Sequence, residues 1–268
     1  LYVVLFGLMA VICLYKNLRT KKKTYLVSLF VCFVLAILSK KTGILLLVIL
    51  PLLFYIWSEE FKIKKGIIFS GLLFFVAYFT IYVHDQLESG DRILLFIENP
   101  LVDQNVTLIE RMITGFHIVG KYITTILYPV HLSSYYGYPL FDVIKNVSVH
   151  FFIGLLFFIV GFPVGIYLFL KRNIYGFFLL SSLIILFAFS NIPELLPGVF
   201  ADRFGFIILL FIVPLWVKLI IVIASRTQKS NQLKYYLLVL PILFLSLLSY
   251  KRSLQSKDLE TLFAADVL

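Results

Sequence analysis

Two lysines stand side by side in the stretch Ser39-Lys40-Lys41-Thr42-Gly43, a tight connection between two apolar runs. Paired ammonium groups at such a junction have two readings. They are lysines that snorkel their charge to the headgroup region, or a cationic site for a lipid-linked phosphate at the membrane face. A second cationic set lies between Arg111 and Tyr128, where Arg111, Thr114, His117, Lys121, Thr124, Thr125 and Tyr128 recur at helical spacing. Ile113, Phe116, Ile123, Ile126 and Leu127 fill much of the rest. That pattern predicts an amphipathic helix at an interface or beside a wet cavity. The alternative is a true span whose polar stripe faces the bundle, and both readings imply a polar hollow. Asp202 and Arg203 open a later apolar run. An acid is favoured at a helix N-terminus by the dipole, while an arginine there can hold a phosphate with two parallel hydrogen bonds.

Other reactive side chains carry less. His84, His117, His131 and His150 are too scattered for metal-ligand spacing. Cys13 and Cys32 both sit within apolar runs, as small packing residues do. No cofactor motif is present, and no residue spacing supports a divalent metal. Tyr135, Tyr136 and Tyr138 read as an interfacial aromatic belt, or as rings that stack on a sugar or an isoprenoid. Asn105-Val106-Thr107 and Asn146-Val147-Ser148 have the form of glycosylation sequons.

These residues are set among elements of an apolar kind. Hydrophobic residues make up 61% of the chain and charged residues 14%, against roughly 25% charged in soluble domains. The apolar runs are about as long as a bilayer is thick. They lack strand alternation, and backbone groups in hydrocarbon must be satisfied internally, so the runs are expected to be helices. Spans are predicted near 1–15, 24–39, 42–57, 66–84, 149–170, 174–192, 204–224 and 235–250. The fold class is therefore all-α: a polytopic membrane bundle of about eight spans plus one amphipathic or re-entrant helix. The bundle covers 1–250, with an outer loop and amphipathic region at 85–148, and 251–268 begins a non-cytoplasmic C-terminal region.

The formal net charge of +10 does not signal nucleic acid. Its lysines and arginines cluster at Lys16 to Lys23, Lys62 to Lys65, Lys171 with Arg172, and Arg226 to Lys234. Short basic clusters between apolar runs write topology, and the positive-inside rule places all four in the cytoplasm. The eight spans satisfy this when the segment near 110–131 does not cross alone. The tail after Tyr250 then ends outside. The chain begins at Leu1 within an apolar stretch, which reads as a fragment lacking its N-terminal part.

Several blocks occur in a characteristic order: Leu38 to Ile44 through Pro51, Glu98-Asn99-Pro100-Leu101, Arg111 to Thr114, and Gly120-Lys121-Tyr122 leading to Leu127-Tyr128-Pro129. His131-Leu132-Ser133, Tyr136-Gly137-Tyr138-Pro139, Ser190-Asn191, Ala201-Asp202-Arg203-Phe204 and the tail from Lys251-Arg252 to Phe263 complete the series. From about Tyr25 to its end the chain resembles the membrane part of the tetratricopeptide-repeat-containing O-mannosyltransferase-like proteins, of the GT-C class of glycosyltransferases. The resemblance implies a GT-C-like bundle with tetratricopeptide repeats following on the non-cytoplasmic side. It implies transfer of a sugar, expected to be mannose, from a polyprenyl-phosphate carrier to a protein or glycan acceptor on that side. It also implies a multi-pass protein of the plasma membrane in a bacterium, or of the endoplasmic reticulum in a eukaryote.

Such a reaction needs a carboxylate to take the acceptor's proton and cations to hold the departing phosphate. The class carries its acidic motif in the first outer loop, which the resemblance places before Leu1, so no catalytic residue is named and this chain alone is expected to be inactive. Lys40, Lys41, Arg111, Lys121 and Arg203 are the outer cations, with Asp202 orienting Arg203 and Tyr136 and Tyr138 beside the carrier. Tyr135 stands where many relatives carry an aspartate, and Ser256 where the tail often has an aromatic residue. Two other classes compete. A transporter or flippase of lipid-linked sugars would show paired gapped helices and mid-span ionisable residues, which the sequence lacks. A non-catalytic scaffold for the repeats would need no carboxylate.

Overall fold

The computed structural model describes residues 2–59, 61–87, 94–103, 105–129, 141–225 and 242–250, with 239 and 253–254. Among them the chain is helical, with no strand beyond an isolated bridge residue at Phe200. Eight α-helices are α1 (Tyr2–Thr20), α2 (Lys23–Ser39), α3 (Leu46–Trp57), α4 (Ile63–Leu87), α5 (Leu108–Leu127), α6 (Val149–Leu170), α7 (Ile174–Ala188) and α8 (Asp202–Ser225). A further helical stretch covers 242–250.

Among the described residues four helices are long and apolar enough to cross a membrane: Tyr2–Thr20, Ile63–Gln86, Val149–Leu170 and Phe204–Ile223. Only 11% to 22% of each apolar window is buried. Phe74, Phe75 and Tyr78 of α4 and Phe152, Leu156 and Ile159 of α6 are all more than half exposed. Apolar surface on that scale is costly in water. The helices Lys23–Ser39 and Ile174–Ala188, and the segment Lys41–Trp57, are apolar but shorter. α5 is not among the apolar helices, as its polar stripe dictates. Of the eighth expected span, 235–250, residues 239 and 242–250 are described, and they are helical.

The chain divides into two compact units, residues 1–92 with 165–177, and 93–164 with 178–268. In the first, α1 and α2 form a hairpin. Its turn places Lys21 in the left-handed region at φ 56°, and Lys21 N–H donates to the Asn17 carbonyl at 2.8 Å. Small residues let the helices approach: Ala10 and Ala36 have no exposed surface, and Gly7 lies against the Leu46 side chain of α3. After α2 the backbone turns sharply. Gly43 N–H donates to the Lys40 carbonyl at 2.8 Å, and a Cβ on Gly43 would stand 2.5 Å from the Ala36 carbonyl oxygen. Only glycine lets the turn fold back so closely on the helix it has left.

One end of this unit gathers three of the basic clusters. Arg19 pairs with Glu59 at 2.7 Å. The Arg172 guanidinium donates to the Ser58 carbonyl at 2.5 Å and lies 5.2 Å from the Tyr55 ring centre. The turns α1–α2, α3–α4 and α6–α7 therefore meet at one basic end. Lys41 lies with Asp85 at 3.1 Å, linking the start of the α2–α3 connection to the far end of α4.

In the second unit α5 is the organising helix. Thr107 and Glu110 form a capping box at its N-terminus, so its first amides are satisfied. Two glycines let α5 and α6 cross at backbone distance. A Cβ on Gly120 would stand 1.8 Å from the His150 carbonyl oxygen, and one on Gly154 would stand 2.2 Å from that of Phe116. Ser148 caps α6, accepting from Phe151 N–H at 3.2 Å. The hydroxyl residues of both sequons thus serve as helix caps.

Candidate functional site

The polar face of α5 is half covered rather than open. Thr114 is fully buried. Its hydroxyl accepts from Ile144 N–H at 3.0 Å, so it satisfies backbone in the strandless segment 141–148, which has no helix of its own to do so. One turn on, His117 Nδ1 lies 2.6 Å from the Ser148 hydroxyl oxygen. Its ring also meets Phe141 edge-on at 5.8 Å and sits 5.1 Å from His150. The hollow expected from the helical stripe is therefore narrowed at Thr114 and His117. The sequence hid this because the covering segment has no periodicity of its own.

Burial, then the fields of His150 and Lys121, lower the His117 pKa from its ordinary 6.5 to about 4. At neutral pH the ring is uncharged. The Ser148 hydroxyl oxygen also accepts from Phe151 N–H, so His117 and the cap of α6 share one hydroxyl.

Lys121, half-buried, lies one further turn along. Its ammonium stands 5.2 Å from the Phe141 ring centre and 5.0 Å from that of Phe200. Next to it Tyr122 is almost wholly buried, packs on Phe200 at 4.3 Å, and its hydroxyl accepts from Ala201 N–H at 3.3 Å. Ala201 is the last residue before α8, so α5 fixes where that helix starts. Asp202 and Arg203 form the first positions of α8; their side chains lie outside the described set, as do Tyr136 and Tyr138 altogether. A groove of about 240 Å³ adjoins this point, walled by Tyr122, Ile126 and Pro129 on one side and Gly205, Phe206 and Leu209 on the other. The structure thus brings together a half-buried cation, a helix N-terminus and an apolar groove.

The other cations named from the sequence are placed differently. Arg111 Nε donates to the Asn191 carbonyl at 2.9 Å. Asn191 takes φ 61° and has no exposed surface. Its side chain accepts from Asn99 Nδ2 at 2.9 Å and from Leu196 N–H at 2.9 Å, and donates to the Val199 carbonyl at 2.7 Å. Asn99 donates also to the Leu196 carbonyl at 3.0 Å and accepts from Leu101 N–H at 3.0 Å. Two buried amides 92 residues apart so hold the loop before α8, with Arg111 on the outside of the knot. Lys40 and Lys41 belong to the other unit, where Lys41 has Asp85 within reach. Nothing in the sequence singled out the Asn99–Asn191 pair, although both residues lie in blocks that carry the family resemblance.

Among the described residues no group of three or more His, Cys, Asp or Glu residues is placed to hold a metal. No family model, no curated protein and no solved structure matches this chain.

Proposed function

We propose that this chain is the multi-pass membrane part of a GT-C-type glycosyltransferase that uses a polyprenyl-phosphate-linked sugar, mannose, outside the cytoplasm. The reading is supported by one juxtaposition above all: Lys121 lies against Phe200, two residues before α8 begins, and an apolar groove runs beside the first turn of that helix. A lipid-linked phosphate asks for that combination, an anion held beside a cation and helix amides with a hydrocarbon tail led away. The half-buried setting strengthens the charge interaction relative to open water. In the transfer the bond from the sugar's anomeric carbon to the phosphate oxygen breaks, and a bond to the acceptor hydroxyl oxygen forms. The acceptor's proton goes to a carboxylate, to which no residue here is assigned, and polyprenyl phosphate leaves. Lys121 stabilises the charge that gathers on that phosphate.

The test is mannosyl transfer from polyprenyl-phosphate-mannose in membranes carrying the full-length protein that contains this chain, as wild type, Lys121→Ala or Lys121→Arg. Loss of roughly tenfold or more in the alanine variant, with partial recovery in arginine, is expected for one charge-assisted contact to a phosphate. Full transfer in Lys121→Ala would remove the proposed phosphate site. Carrier movement between vesicle leaflets without a new glycosidic bond would favour a flippase. The scaffold reading has two observations on its side: Arg111 bonds backbone, and Lys41 has an ion-pair partner.

A further inference from the structure

We infer that the first unit carries a binding groove for an anionic phospholipid of the cytoplasmic leaflet, between α3 and α4. The inference rests on the chain being a membrane protein and is independent of sugar transfer. The groove has a volume of about 610 Å³ and runs between Leu47, Pro51 and Phe54 of α3 and Ile67, Gly71 and Phe74 of α4. Each set recurs at helical spacing, so each forms one face.

Two features keep the groove open. Pro51 lies inside α3, where it cannot bond the Leu47 carbonyl. Gly71 sits in open space: a Cβ built there meets nothing within 4 Å. Gly66 is different, since a Cβ there would stand 2.7 Å from the Phe61 ring. That glycine lets Phe61 lie against α4 and close one end of the groove. The groove is open on one side and its walls are hydrocarbon-like, so an acyl chain fits them.

Charge decides the head. Phe61 and Ile63 line the groove, and Lys62, Lys64 and Lys65 surround them in sequence at the first turn of α4. All three lysines are exposed. This is the basic end of the unit, where Arg19 and Arg172 also gather. A helix N-terminus with three adjacent lysines favours a phosphodiester over a zwitterionic head. A second copy of the chain is a poorer occupant. Inserted with the same orientation, it would bring its own lysines to the same leaflet.

The full chain is placed in nanodiscs of equal dioleoyl phosphatidylglycerol and dioleoyl phosphatidylcholine, extracted gently, and its retained lipids counted by native mass spectrometry. Wild type is expected to retain phosphatidylglycerol in preference. Each lysine removed in the series to K62A/K64A/K65A should lower that preference by roughly fivefold. Gly71→Leu should expel both lipids while leaving helicity unchanged, because its side chain enters open space. Equal retention of the two lipids by wild type, or undiminished phosphatidylglycerol in Gly71→Leu, would overturn the inference. A two-chain mass that Gly71→Leu abolishes would assign the groove to a second copy instead, and equally overturn it.

Discussion

Gly120 of α5 and His150 of α6 touch through their backbones, with the place of a Cβ on Gly120 only 1.8 Å from the His150 carbonyl oxygen. Backbone, unlike a side chain, cannot rotate out of the way. Gly120→Ala must therefore push α6 off α5 and disturb everything α6 carries against that face. Overpacking typically costs about 1–3 kcal/mol, and here the upper end is expected. Gly205→Ala is the matched control, since its added Cβ meets nothing within 4 Å. Thermal unfolding in one detergent should separate the two variants clearly; equal midpoints would mean the helices do not cross at Gly120.

The Asn99–Asn191 pair predicts a coupled loss. Each amide is fully buried, and removing either leaves the other with an unmet group, at about 1–3 kcal/mol. A double-mutant cycle through Asn99→Ala and Asn191→Gly should show coupling of at least about 0.5 kcal/mol. Asn191→Ala should be worse than Asn191→Gly by about 1 kcal/mol, because φ 61° disfavours a Cβ. Additive effects in the cycle would show that the 2.9 Å contact does not form.

What could be read beforehand follows from what leaves a local signal. The helices of the first unit and the amphipathic α5 are written in residue spacing, and their basic turns in charge. The site is not local. Tyr122 on Ala201, Asn99 on Asn191 and His117 on Ser148 join positions 79, 92 and 31 residues apart, and no periodicity encodes such pairings. Gly120 and Gly154 were silent for the same reason, since a glycine announces a close approach but never what approaches. Lys41 illustrates the converse. Its type and place suggested a phosphate site, while Asp85, 44 residues later, supplies a counter-charge.

The gathering of Arg19, Glu59 and Arg172 at one end of the first unit makes sidedness testable. In a background without Cys13 and Cys32, cysteines at Ser58 and Gln228 should resist an impermeant thiol reagent in intact cells. Cysteines at Ser89 and Ser256 should react. Labelling of Ser58→Cys from outside would invert the orientation, since Ser58 accepts from Arg172 at the basic end. Detergent permeabilisation supplies the control that each cysteine is chemically competent.

His117 ties the stability of the second unit to pH. Its folded pKa, about 4, lies below the ordinary 6.5 because burial and then the fields of His150 and Lys121 oppose a charge on the ring. Between those two values the unfolded chain binds a proton that the folded chain refuses, so stability rises with pH through this window. The contribution is therefore present in full above about pH 6.5 and is lost as the pH falls through about 4. Asp142 and Lys145 lie on the covering segment 141–148 and carry opposite charges. Ring titration by NMR should place His117 near 4 in the folded protein, and the thermal midpoint of wild type should decline between pH 6.5 and 4. His117→Asn retains one hydrogen-bonding group toward Ser148 and does not titrate, so its midpoint should start lower and decline less over the same interval. Parallel declines in wild type and variant would assign the acid sensitivity to other groups and leave His117 a solvated, unperturbed imidazole.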